Sequence, residues 1–165
     1  MIMNKIVFLI LFFSLTLNAQ VSKSLSVSGD IAKPLTIQAN DLKKYKSYTV
    51  DSLRILNHKM EYKSTLKNLK GVLLKDILGK ADFLVKSPKE LSEFYIICMA
   101  DDDYKVVFSW NELFNSPAGD KTLIITDDDT ENNERDKFKL ITSTDRATGR
   151  RYVKDFSKII IKRVQ

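Results

Sequence analysis

Residues that carry chemistry are scarce in this chain of 165 residues, which holds one Cys, one His, one Trp, three Pro and five Gly. A single thiol, Cys98, forms no internal disulfide, so the fold has to rest on packing. Zinc sites draw most of their ligands from Cys and His, and one of each is too few. Cys98 lies in the continuous apolar run from Phe94 to Met99 and reads as a buried, inert thiol in a central strand. His58 follows Asn57 in an expected turn. Asp51 and Glu61 are its nearest acidic neighbours, but the chain has no G-x-S-x-G elbow and no Cys in an electropositive setting. His58 is therefore expected to be an exposed turn residue, since a triad needs three positioned roles.

Long apolar runs are also lacking beyond the first residues. Met1 to Ala19 carries one Lys near its start, an apolar stretch from Ile6 to Leu17 and a small residue before Gln20. A bilayer span needs about 20 apolar residues, so 1–19 is read as a signal peptide cleaved after Ala19. No Cys stands at the new amino terminus to take a lipid, and no second apolar stretch offers a stable membrane anchor. The expected location is periplasmic or secreted, with residues 20–165 forming one domain.

The net charge is +6, and its distribution says more than its size. Residues 101–136 hold eleven acidic and three basic side chains, whereas 137–165 hold nine basic and two acidic. Mutual neutralisation between neighbouring segments accounts for this split. Without a uniformly basic face or a nucleic-acid module, no nucleic-acid partner is expected. Calcium loops starting at Asp101 or Asp127 fail: Lys105 and Val106 occupy positions five and six of the first, and Phe138 closes the second. A looser oxygen-rich calcium site within 127–136 stays open, in a connection expected to be the most mobile part of the chain.

Strands are expected at Leu25–Ser28, Leu35–Ile37, Val50–Leu56 and 59–67, the last with clean alternation of Met60, Tyr62, Ser64 and Leu66 against Lys and Glu. Asn40 is placed to cap a brief helix over Asp41–Lys44. Leu73, Leu74, Ile77 and Leu78 predict a helix within Val72–Lys80, and Ser87-Pro88 a helical turn. The Cys98 strand forms a hairpin with Tyr104–Trp110, Asn111–Phe114 makes a helical turn, and Thr122–Thr126 is another strand. Phe138, Leu140 and Ile141 begin a strand, 143–149 form a loop, and Phe156–Val164 is the β-branched last strand. Together these predict an α+β domain of mixed, mostly antiparallel sheet with a few short helices.

The loop before the last strand is basic. Arg146, Arg150, Arg151 and Lys154 fall within one short connection, where guanidinium forks and backbone N–H groups can hold a phosphate. At this point the sequence resembles a known family. Gly149-Arg-Arg-Tyr-Val-Lys154 and the strand after it are similar to the closing segment of the sulfite-oxidase-like, molybdopterin-binding oxidoreductase domain. Lys70-Gly-Val-Leu-Leu-Lys-Asp-Ile-Leu78 resembles that family's helix start, and SVSGDIAKPLTIQANDL its opening pattern, in the family's order.

The resemblance implies a single sulfite-oxidase-like domain with molybdopterin as its cofactor. It places cofactor contacts at Tyr152, Val153 and Lys154 of the closing loop, and at Lys139 one strand earlier. Arg150 and Arg151 would join Lys154 on a phosphate. The family's molybdenum-ligating Cys has no counterpart in Thr49–Asn57, and Cys98 falls in a later strand. A thiolate anchors and tunes the metal, so its loss normally removes the redox chemistry even where a cleft persists, while the resemblance alone keeps a molybdopterin-dependent oxidoreductase as one reading. The expectation is thus an exported, degenerate relative with no catalytic residue and no metal ligand, retaining pterin or anion binding. The alternative is a non-catalytic module for a ligand or a periplasmic protein partner, using aromatics such as Tyr45, Tyr48 or Trp110.

Overall fold

A computed structural model describes residues 24–127 and 138–165. The expected signal peptide lies outside the described residues, as does all but Asp127 of the acidic connection with its calcium option and its expected mobility.

One strand gathers the others. β9 (Val153–Arg163) carries Ile159, Ile160 and Ile161 and is long enough to serve three partners. β5 (Phe94–Ala100) runs antiparallel along one edge of β9, from Phe156 to Arg163. The other edge is shared. β8 (Phe138–Thr142) pairs antiparallel with its first residues, and β1 (Ser24–Gly29) pairs parallel with Lys158–Ile161. Asp155, at φ 49°, sits inside the β8 pairing, between Val153 opposite Leu140 and Phe156 opposite Phe138, where the register shifts. This left-handed residue also starts the strand earlier than its Ile content suggests, because Val153 and Phe156 both enter the core across it.

The sheet continues from β8 through β7 (Thr122–Asp127) and β4 (Tyr62–Leu73) to β3 (Tyr48–Leu56), while β1 adds β2 (Leu35–Gln38) at the opposite end. β6 (Lys105–Ser109) closes the expected hairpin on β5. Among the described residues every strand pairing except β1 with β9 is antiparallel, so the domain is α+β with a mixed, mostly antiparallel sheet.

Alternation along β7 and β8 sends Ile124 and Leu140 to one face and Leu123, Ile125 and Ile141 to the other. The first face forms the larger core, covered by α1 (Ala39–Leu42), α2 (Leu74–Leu78) and α3 (Trp110–Phe114) through Leu42, Leu74, Ile77 and Leu113. The second face holds a smaller cluster with Leu53 and Ile55 of β3 and Leu66 and Leu69 of β4.

Three further boundaries differ from expectation. β4 starts at Tyr62 and runs on to Leu73, taking residues expected in a helix; Asn68 at φ 50° breaks the alternation and lets Leu66 and Leu69 reach the same cluster. α2 shrinks to Leu74–Leu78 as a result. α1 begins at Ala39 rather than being capped by Asn40, because the Asp41 carboxylate accepts the Gln38 N–H at 3.0 Å and so satisfies an orphan donor from inside the first turn.

Candidate functional site

The basic connection folds into a turn over Thr148–Arg151 that is fastened to three separate elements. Thr148 is buried, its hydroxyl donating to the Arg54 carbonyl at 2.6 Å and accepting the Leu56 N–H at 2.9 Å. Gly149 follows because nothing larger fits: a Cβ there would stand 2.8 Å from the Leu56 carbonyl oxygen. Tyr104, in the turn of the β5–β6 hairpin, donates its hydroxyl to the Arg150 carbonyl at 2.6 Å. Arg151 reaches the other way. Its guanidinium pairs with Asp145 and with Glu112 of α3 and lies 4.5 Å from the ring centre of Phe108 on β6. These partners raise its pKa, Asp145 first, so the charge is permanent.

An open cleft of about 360 Å³ lies where this turn meets the end of β3. The closing turn contributes Gly149, Arg150 and Tyr152, and the end of β3 with its turn contributes Ile55, Asn57 and His58. Lys63 of β4 and Tyr104 complete it. None of these lining residues is acidic. Asn57 spends its side chain on the turn, donating to Glu61 and accepting the N–H groups of Lys59 and Glu61. Lys63 stands 3.9 Å from Glu61, a loose exposed pair, and among the described residues no carboxylate pairs with Arg150. The cleft thus has apolar and aromatic walls with cationic groups from two different elements.

The expected cofactor contacts separate into groups. Arg150 and Tyr152 line the cleft. Lys154 is exposed beside it, its ammonium 5.7 Å from the Tyr152 ring centre. Arg151 is adjacent in sequence but turns away to Asp145 and Glu112. The Val153 side chain is buried in the larger core. Lys139 pairs with Ile125 in the β7–β8 register and is 3% exposed, on the face of the smaller cluster and outside the cleft lining.

His58 is exposed in its turn, as its neighbours suggested. Its place on the cleft wall was not legible, nor were those of Ile55, Lys63 and Tyr104, which come from segments distant from the closing turn. The one signal in the sequence is the resemblance's ligand segment, Thr49–Asn57, which points to the end of β3 as a wall of the site.

The arrangement does not fit a molybdenum centre. The Thr49–Asn57 segment does reach the cleft, but with the Ile55 side chain and an Asn already engaged. Cys98 is 0% exposed between β6 and β9, and burial pushes its thiol well above the usual range, so it offers no thiolate. Among the described residues no three His, Cys, Asp or Glu side chains gather as a metal site. A larger hollow of about 540 Å³, floored by Leu42, Val72 and Phe138, contains none of the expected cofactor contacts. No helix among the described residues is long and apolar enough to cross a membrane. The three half-buried aromatics Tyr45, Tyr48 and Trp110 do not form one exposed patch: Trp110 stacks on Phe114 at 4.9 Å, and Tyr48 packs against the smaller cluster.

No family model and no curated protein sequence matches the chain. Among solved structures it is similar to the sulfane dehydrogenase SoxCD from Paracoccus pantotrophus, with a TM-score of 0.58 at 16% identity. The likeness covers 86% of this chain and 39% of the solved one, so this chain spans well under half of that protein's length. At that identity it is the fold that the two share.

Proposed function

We propose that this chain is an exported, non-redox domain of the sulfite-oxidase-like fold, which binds a small anionic ligand, pterin-like or otherwise, in the cleft beside its closing turn. One observation carries the proposal. Two of the segments that the sequence resemblance ties to the cofactor, the end of β3 and the Gly-Arg-Arg-Tyr turn, meet at a single cleft, and that cleft presents Arg150 and Lys63 without an acidic lining residue. An open concavity beside the closing turn favours ligand binding over a partner module, for which the turn would be packed shut. The fold shared with a sulfane dehydrogenase supports the same lineage. The absent thiolate separates this chain from redox chemistry, because an imidazole on an exposed turn cannot replace a soft anchoring ligand alone.

Arg150 serves as the anion-binding group, with Lys154 and Lys63 adding positive potential. Arg151 lies outside the cleft lining and acts by holding the turn through Asp145 and Glu112. The test is molybdenum and pterin content in protein purified from a host that makes and exports the cofactor, measured beside inorganic phosphate binding. The expected result is folded protein with little molybdenum that binds phosphate, and binds it more weakly after Arg150→Ala. Near-stoichiometric molybdenum and pterin would overturn the non-redox assignment and restore an oxidoreductase.

A further inference from the structure

We infer that the ligand of this cleft is a single-ring aromatic acid, an aryl phosphate or carboxylate, taken up without a metal; this rests on the anion-binding function proposed above. Size is the first argument. At about 360 Å³ the cleft stands at the low end of small-molecule sites, which run from roughly 300 to 1,000 Å³. It suits one ring and one acid group better than a fused tricycle with a metal and its ligands.

The walls supply the second argument. Ile55, Tyr104 and Tyr152 offer an apolar and aromatic surface. Both phenols are held in place by the fold: Tyr104 by its hydrogen bond to the Arg150 carbonyl, and Tyr152 by packing against the smaller cluster. A ring bound there meets surfaces that need no reordering, and aromatic pairs add attraction beyond the area they bury.

Polarity supplies the third. Arg150 presents a planar fork suited to two oxygens of a carboxylate or phosphate, Lys63 a second charge, and His58 a ring N–H donor on the rim. The same Tyr104 hydroxyl that fixes its own ring also fixes the backbone of Arg150 at 2.6 Å. The aromatic wall and the anion-binding residue are therefore one braced unit, and a ligand that uses both gains most.

The experiment is a calorimetric titration of the purified, unmutated chain with phenyl phosphate, benzoate, inorganic phosphate and benzylamine. Phenyl phosphate is expected to bind about five- to tenfold tighter than inorganic phosphate, the gain of one aromatic contact, and benzylamine not at all. Tyr152→Ala should remove that preference while leaving inorganic phosphate binding in place, Arg150→Ala should weaken both phosphates, and Lys33→Ala, in the exposed β1–β2 turn, should change neither. Equal binding of phenyl phosphate and inorganic phosphate would overturn the aromatic assignment and leave the anion site standing. Binding of none of the anions would overturn both.

Discussion

The guanidinium of Arg151 forks onto the carboxylate of Asp145 within the closing turn, Nε donating to Oδ2 at 2.7 Å and Nη2 donating to Oδ1. Glu112 accepts from the remaining Nη1, so one side chain ties the turn to itself and to α3. The Arg151 side chain is only 21% exposed, which lifts this pairing above an ordinary surface ion pair. Arg151→Ala is expected to lower stability by about 1–3 kcal/mol in denaturant melts, because it leaves the half-buried Asp145 and Glu112 carboxylates without their shared cation. Arg151→Lys should recover little, since an ammonium cannot form the fork. A Lys variant as stable as the parent would show that charge alone holds the turn.

Gly149 sets how closely the turn approaches β3. A Cβ would meet the Leu56 carbonyl oxygen at 2.8 Å, and a backbone oxygen fixed in a strand cannot step aside cheaply. Gly149→Ala should cost about 1–3 kcal/mol and weaken phosphate binding, as the turn lifts and carries Arg150 with it. Gly79→Ala is the internal control. Gly79 ends α2 at φ −62°, and its Cβ would lie 3.3 Å from the Lys75 carbonyl oxygen, so stability should change by less than about 1 kcal/mol. Equal melting shifts in the two variants would argue against a close approach at Gly149.

Thr148 joins the same two elements through one hydroxyl, which serves as donor to Arg54 and acceptor from Leu56. Thr148→Val keeps the shape and removes both bonds, leaving a carbonyl and an N–H near the end of β3 without their partner. A loss of about 1–3 kcal/mol is expected. Amide exchange supplies the more specific readout: the Leu56 N–H should lose protection in the variant, while amides in β5 and β9 keep theirs relative to the lower global stability.

The Ile content of β9 and the Gly-Arg-Arg-Tyr pattern marked the organising strand and its turn, because β-branched runs and basic turns are local signals. The roles of Arg150 and Arg151 were not local. Only the partners Asp145 and Glu112, the second on a helix 39 residues earlier, decide which guanidinium is engaged. The cleft was legible on one wall alone, since Lys63 and Tyr104 reach it through β3–β4 and β5–β6 pairings that a single sequence does not display. Left-handed Asn68 and Asp155 shifted strand boundaries for a related reason: they break alternation without announcing it.

Cys98 gives a pH dependence whose sign follows from burial. The thiol is enclosed between β6 and β9, and desolvation of the thiolate pushes its pKa well above the usual range. In the unfolded chain a Cys ionises near pH 8.5, so above that pH the unfolded state sheds a proton that the folded state keeps. Proton binding is then greater in the native state, and stability falls as pH rises. The contribution is full below the unfolded pKa and declines by up to about 1.4 kcal/mol for each pH unit above it. Denaturant melts at pH 7, 9 and 10 on the parent and on Cys98→Ala isolate it from other groups, including Tyr45, whose pKa is also raised by burial. The stability difference between parent and variant should shrink across that series, and a thiol reagent at pH 8 should modify Cys98 only as fast as the protein opens. A difference that stays constant with pH, together with rapid modification, would place the thiol in contact with solvent and reopen it as a metal ligand.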